Sequence, residues 1–256
     1  MVLLLVVTGC RDDTVRVTFR PPVGAIYRYE VTVHSRSEVR LPGEAPDVRE
    51  EQIVLQSEHT VLESGPDGVR VQVILGDAAG SVRTFVVRFD RAAQLESVEG
   101  DDALPGEDTP VFGISEIFPA AAGAPPDRRL EPGERWSVDD LVVVPSSVGE
   151  SRLTGVGRLV ELGIEDGEDV ARLATSAVLQ VHTSQPDGSG EVVRLDGEQT
   201  TEQRSSHDLR DGAVRTSSST TVGTFDLEVR PPFGELRDPV RGTLRVHVTS
   251  RTTRLD

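Results

Sequence analysis

Five Asp-Gly pairs punctuate this chain, at Asp67-Gly68, Asp166-Gly167, Asp187-Gly188, Asp196-Gly197 and Asp211-Gly212. Asp-Gly between alternating apolar residues is the strongest short-range hairpin signal, because a type I′ turn needs positive φ at both central positions. The flanking runs supply that alternation. Ile53, Leu55, Ser57, His59 and Val61 share one face of a run before Asp67-Gly68, and Val69, Val71, Val73 and Leu75 return after it. A chain patterned in this way folds by adding each strand to its neighbour. No long amphipathic helical pattern interrupts it. The predicted fold is therefore all-β: antiparallel meanders with an internal pseudo-repeat, forming a curved sheet or half-barrel with one short helical or lid segment.

Taken in order, Val15-Arg16-Val17-Thr18-Phe19 alternates as a half-buried strand until Arg20-Pro21-Pro22-Val23-Gly24 breaks it, since proline cannot donate to a ladder. Ile26 to Val33 resumes as a strand rich in β-branched and aromatic residues, and residues 40–50 read as an exposed loop. Val82 to Phe89 forms a further strand, with Leu95-Glu96-Ser97-Val98 expected to pair beyond it. Residues 99–131 change character. Gly/Pro-rich stretches there bracket Val111 to Phe118, a segment suited to one or two helical turns or to a lid laid across a sheet.

A second meander opens at Pro132-Gly133-Glu134-Arg135-Trp136, with strands Arg152 to Leu162 and Val170 to Val181 around Asp166-Gly167. Residues 213–221 carry so many hydroxyls that at least one face of that strand must be wet. Phe225 to Val229 and Leu244 to Val248 complete the pattern. The order of elements repeats. Gly24-x-x-Tyr27 and Gly133-x-x-Trp136 each set an aromatic at a strand start, followed by a strand ending in Glu63 or Glu161 and then by an Asp-Gly turn. The expected organisation is a signal peptide over 1–9, a first meander over 10–100, a linker or lid over 101–131, and a second meander over 132–256 packed with the first as one unit.

Composition removes whole classes of function. The 256 residues carry a formal net charge of −16, and all 27 basic residues are arginine. Such a chain repels nucleic-acid phosphates and anionic membrane surfaces alike, so no nucleic acid partner is expected and membrane attachment must come from lipid. With one cysteine, no intrachain disulfide forms.

That cysteine closes Val7-Thr8-Gly9-Cys10, which follows the apolar run Val2-Leu3-Leu4-Leu5-Val6 and precedes the polar Arg11-Asp12-Asp13-Thr14. The stretch resembles the lipobox of bacterial lipoproteins. That resemblance implies removal of residues 1–9 and lipidation of Cys10 with palmitate or a similar acyl chain, hence extracytoplasmic anchoring in the cell envelope. The apolar run is shorter than a typical signal core and no basic residue precedes it, as expected if translation starts further upstream. Beyond the lipobox, Pro132-Gly133-x-x-Trp136 and the Thr154-Gly155-Val156-Gly157 strand make most of the mature chain similar to a family of bacterial secreted lipoproteins of unknown function. At the level of fold alone, long strands behind a lipid anchor resemble the half-barrels of lipoprotein carriers and lipid-binding lipoproteins.

No catalytic motif is present: no Gly-x-Ser-x-Gly elbow, no His-Glu-x-x-His, no Cys-x-x-Cys and no phosphate-cradling loop. Ser205-Ser206-His207-Asp208 holds all three triad residue types, but neighbours in a strand point to opposite faces, so His207 and Asp208 are not expected to pair. Glu165-Asp166-Gly167-Glu168-Asp169 offers hard oxygens without the ligand spacing of a Ca²⁺ loop, and reads as a solvated hairpin tip. His34, His59, His182, His207 and His247 are scattered, so no metal site and no cofactor are expected. Gly155 and Gly157 read as a bulge or a close backbone approach. Trp136, Tyr27 and Tyr29 are the aromatics that could stack on a ligand, with packing the default for Trp136 and Tyr27, and Tyr29 on the same strand face as Tyr27.

The reading is a non-enzymatic, membrane-anchored lipoprotein that binds an apolar ligand in a β concavity, with Phe112 and Phe118 as candidate ligand contacts. Interaction with another envelope protein, or a structural accessory role, is the alternative. A hydrolase is the last of the readings, because nothing in the sequence sets a nucleophile beside a base.

Overall fold

In a computed structural model, which describes residues 14–77, 80–90, 95–99, 123–143, 150–186, 191–231 and 238–255, eleven strands join edge to edge in one antiparallel sheet that does not close into a barrel. The strands are β1 (Ile26–Arg40), β2 (Asp47–Gly65), β3 (Gly68–Asp77), β4 (Val82–Phe89), β5 (Leu95–Glu99), β6 (Arg135–Val143), β7 (Glu150–Glu165), β8 (Glu168–Pro186), β9 (Val192–Asp208), β10 (Val214–Arg230) and β11 (Val240–Leu255). Their order across the sheet is β5-β4-β3-β2-β1-β11-β10-β9-β8-β7-β6. β1 to β5 step outward from the centre, and β6 to β11 step inward from the far edge. The first and last strands therefore pair at the centre, Tyr29 opposite Arg254 and Val33 opposite Ser250. Only the connection between β5 and β6 carries the chain from one edge of the sheet to the other.

The pseudo-repeat is visible in backbone detail. Gly24 (φ 82°) and Gly133 (φ 90°) each take the left-handed conformation just before β1 or β6. The Gly24 amide donates to the Val61 carbonyl and the Val61 amide to that of Ala25; likewise Gly133 donates to Leu159, and Leu159 to Glu134. Immediately after those residues β2 and β7 each carry a register shift, between Val61 and Glu63 and between Leu159 and Glu161. Across each irregularity an arginine pairs with the glutamate: Arg70 with Glu63, Arg172 with Glu161. A bulge turns a strand and increases its twist. The same device at the same place in both meanders bends both wings of the sheet.

The Asp-Gly pairs divide. Asp166 (φ 51°) and Gly167 (φ 84°) occupy the centre of the β7–β8 turn, with Glu165 opposite Glu168, as a type I′ hairpin demands. In the β2–β3 hairpin Gly65 pairs with Gly68, so the turn is Pro66-Asp67, one residue earlier than predicted. Gly212 (φ 76°) lies in the turn that leaves β9. Asp196-Gly197 is not a turn but the interior of β9. Gly197 is there because Phe225 crosses it: a Cβ would come within 2.8 Å of the Phe225 Cα. Asp187-Gly188 lies outside the described residues.

Residues 15–19, predicted as a strand, make only one bridge, Val15 with Leu130. The prolines that end this run leave no length for a ladder. It forms instead a strap: Val17 packs into the apolar cluster of β6 to β8, Phe19 against Phe89 on the other wing (ring centroids 5.7 Å apart), and the Arg20 amide donates to the Asp211 carbonyl.

Alternation holds along the strands, and one face of the sheet is covered while the other is exposed. Tyr29, Val31, Val33 and Ser35 of β1 are buried, whereas Glu30, His34 and Arg36 are exposed or less covered. A flat single layer cannot shield one face from water. The strap lies over part of it, with Val17 in one apolar cluster and Phe19 against the other, and Val246 at the centre touches the apolar clusters of both wings.

Candidate ligand-binding face

The covered face is not uniformly apolar. One lobe, on β1 to β4, is built by Val31, Val33, Leu55, Val73, Phe85 and Val87. The other, on β6 to β8, is built by Trp136, Val138, Leu153, Leu159, Leu173 and Leu179. Between them β9, β10 and β11 present a band of hydroxyls and amides, including Gln203, Ser217, Thr221, Ser250 and Thr252, all buried. Register makes this band continuous: Val31 faces Thr252, which faces Ser217, which faces Ser205. The side chains satisfy one another across strands. Ser219 and Ser250 hydroxyls lie 2.8 Å apart, Thr201 and Thr221 2.9 Å, and Gln203 Nε2 donates to Ser217 Oγ at 3.2 Å. Thr216, Ser218 and Thr220 of the same strand point to solvent. The hydroxyl-rich strand thus has its wet face, as predicted, but its other face is a polar seam between two apolar lobes. The alternation of Ser and Thr in 213–221 was the signal for it.

Trp136 anchors the second lobe. It is buried, lies over Gly157, which has no Cβ to displace the ring, and its Nε1 donates to the Gly123 carbonyl at 3.4 Å. Gly155 likewise has Ala177 against it, where a Cβ would stand 2.6 Å from the Ala177 Cα. Both glycines mark close approach, one of the two expectations, while the bulge falls later, between Leu159 and Glu161.

At the strapped end of the face the chemistry becomes ionic. Asp208, fully buried, receives the Arg210 amide (3.0 Å) and Nε (3.1 Å) on Oδ1, and Arg210 NH2 (2.8 Å) on Oδ2. These bonds, opposed by burial, hold its carboxyl down at about 2. Arg215 reaches toward the same carboxylate but pairs with Asp166 at 3.1 Å, and Arg254 stands 3.5 Å from Asp208 Oδ2. Tyr27 donates to Asp211 Oδ2 at 2.7 Å; burial and that bond push its phenol well up. Burial also raises Tyr29, against the pull of Arg254. Tyr29 stacks at a tilt on His59 (4.9 Å), whose buried imidazole is pushed down to about 4.

The triad-like stretch divides. His207 and Asp208 do not pair, as strand geometry requires, but Ser205 and His207, two residues apart on one face, do meet, which corrects the expectation that no nucleophile stands beside a base. Asp208 goes to Arg210, while His207 shares a face with Ser205: Ser205 Oγ and His207 Nε2 are 2.9 Å apart, and His207 Nδ1 faces the Gly212 carbonyl at 3.2 Å. With Nδ1 donating to that carbonyl, Nε2 accepts the serine proton. Burial disfavours the charged imidazolium. The acidic hairpin tip is occupied by protein partners. Glu165 accepts from Ser206 (2.5 Å), Asp166 pairs with Arg215, and Glu168 with Arg210 (3.0 Å). Among the described residues no group of three or more His, Cys, Asp or Glu could hold a metal ion. On the exposed face, His34, Arg36, Glu50 and His247 line a depression of about 420 Å³, with Arg36 and Glu50 paired at 2.8 Å. Cys10, Phe112 and Phe118 lie outside the described residues, as does the whole Val111 to Phe118 segment expected as a lid.

The Asp208–Arg254 cluster was not legible in advance. Its members come from the end of β9, the turn after it and the ends of β10 and β11, and only the β1–β11 pairing brings Arg254 to it. No known family model matches the chain, and no curated protein matches it either.

Proposed function

We propose that this chain is a lipid-anchored, extracytoplasmic, non-enzymatic protein that binds an apolar or amphiphilic ligand on the covered face of its sheet. The observation that carries the reading is the pair of apolar lobes on one face of a sheet left open at β5 and β6. Among the described residues no ladder joins those two strands, so the covered face is not sealed by a closed ring of backbone hydrogen bonds. Ligand sites are mostly apolar with a few placed polar groups, and the central hydroxyl seam between the lobes has that character. The Val7-Thr8-Gly9-Cys10 match supports the anchor, and the net charge of −16 speaks against nucleic acid. A non-enzymatic role is favoured because the Ser205–His207 pair is oriented by the Gly212 carbonyl rather than by a carboxylate, and Asp208, the residue that could complete a triad, is spent on Arg210. A second reading, addition of a partner's strand, is favoured by β6 being a nine-residue edge strand.

The test is titration of the delipidated protein with an environment-sensitive apolar dye. Saturable binding, displaced by a long-chain lipid and weakened in Phe112→Asp or Phe118→Asp at unchanged circular dichroism, is the expected result. Absence of saturable binding to the wild type would overturn the proposal.

A further inference from the structure

Within the ionic end of the covered face one row of side chains stands apart from the rest. Ser57 lies opposite Tyr29 across β2 and β1, and Tyr29 lies opposite Arg254 across β1 and β11. All three belong to the covered face, and none is spent on another. Ser57 Oγ is buried with no hydrogen-bond partner. The Tyr29 hydroxyl has no partner among the described residues. The Arg254 side chain is only 12% exposed, yet its contacts are the 3.5 Å approach to Asp208 and the Tyr27 ring, 6.0 Å from the guanidinium carbon. A guanidinium carries five N–H donors. A buried cation with so few partners is costly unless something else meets it.

The neighbouring carboxylates do not take up this surplus. Asp208 already takes three hydrogen bonds from Arg210, two on Oδ1 and one on Oδ2, and meets Arg254 only at 3.5 Å on Oδ2. Asp211 is committed to Tyr27 Oη and the Ala213 amide, and makes no ion pair among the described residues. Arg215 has its own partner in Asp166. Arg254 is thus the one cation of the cluster, among the described residues, that makes no side-chain hydrogen bond, with the Tyr29 hydroxyl group next to it in the row and Ser57 beyond. Next along β1 and β11 the first apolar lobe begins at Val31 and Leu55, while the hydroxyl seam begins at Thr252.

Resting on the ligand-binding reading above, we infer that Arg254, Tyr29 and Ser57 form the head-group site of that ligand, which is an amphiphile ending in an anionic group, a carboxylate or a phosphate. The planar guanidinium meets two anionic oxygens at once, the hydroxyls of Tyr29 and Ser57 donate to them, and the hydrocarbon follows the β1 to β4 lobe.

The experiment compares palmitate with hexadecanol, which share a chain and differ in head-group charge, on the wild type, Arg254→Gln and Arg254→Lys. The expected result is a preference of about tenfold or more for palmitate, as a charge-assisted contact in a partly buried site supplies. Arg254→Gln should lose the preference while keeping hexadecanol affinity, and Arg254→Lys should keep most of it. Ser57→Ala, which leaves the charge in place, should weaken palmitate severalfold without touching hexadecanol, and serves if Arg254→Gln fails to fold. Equal wild-type affinities for the two compounds overturn the head-group site while leaving lipid binding standing. Failure of both to bind overturns the ligand-binding reading itself. Inorganic phosphate alone, titrated in parallel, is expected to compete weakly. Phosphate binding as tight as palmitate would overturn the amphiphile and show a site for the free anion.

Discussion

Trp136 and Gly157 form one packing unit, and a double-mutant cycle tests it. Trp136 lies directly opposite Gly157 between β6 and β7, and a Cβ on Gly157 would fall on Cε2, Cζ2 and Nε1 of the indole. Gly157→Ala must therefore push a rigid, buried ring off its seat, an overpacking cost of about 1–3 kcal/mol. Trp136→Ala leaves a cavity and loses the Nε1 bond to Gly123, and should cost about 3–5 kcal/mol. In the double variant the new methyl enters space that the indole has left. The penalty for Gly157→Ala should vanish there and turn into a gain of about 0.5–1 kcal/mol, because glycine weakens a strand interior. The singles and the double should then differ from additivity by about 1.5–4 kcal/mol. Gly155→Ala is the control: its Cβ would meet the Ser176 carbonyl and Ala177 Cα, not the indole, so its cost should persist in the Trp136→Ala background. Urea unfolding followed by far-ultraviolet circular dichroism measures all of these. Additivity of Trp136→Ala and Gly157→Ala within about 0.5 kcal/mol would refute the seat.

Three further expectations concern charge and anchoring. His59 holds its pKa near 4 by burial, against about 6.5 in the unfolded chain, which therefore binds the proton first as pH falls. Stability should be full above about pH 6.5 and decline toward pH 4 by about 3 kcal/mol; His59→Phe should shallow that slope without abolishing it, since His207 is shifted in the same direction. Asp208→Asn leaves Arg210, Arg215 and Arg254 around a neutral amide and should cost about 3–5 kcal/mol in thermal or urea unfolding at pH 7, where the wild-type carboxylate is charged; an unchanged midpoint would show that the cluster contributes nothing. Cys10→Ala should move the protein from the membrane to the soluble fraction, and equal retention on the membrane would place the anchor elsewhere.

The meander was legible because period-two alternation and Asp-Gly turns are local signals. Asp166-Gly167 behaves as such a pair should, and β7 and β8 extend to either side of it. Asp196-Gly197 fails for a reason outside its own neighbourhood: Phe225, on a strand nearly thirty residues away in sequence, needs the missing Cβ. The run Val15 to Phe19 has the alternation of a strand but is used as a strap, because Pro21 and Pro22 cut it short. The repeated bulges beside Glu63 and Glu161 could be suspected from the recurring Gly and Glu positions, whereas their geometry could not. Polar residues were harder to read. Tyr29 is buried, and its neighbours across the sheet, Ser57 and Arg254, become visible only once register places β1 between β2 and β11.

The central claim, that a lipid occupies the covered face, is tested most directly by methyl nuclear magnetic resonance during titration with palmitate. The account predicts saturating shifts of Val31, Val33, Leu55 and Leu173 methyls, which line the two lobes, with Ile74, Val156 and Val222 of the exposed face unmoved. Shifts confined to the exposed residues, or no saturable shift in either lobe, would contradict it.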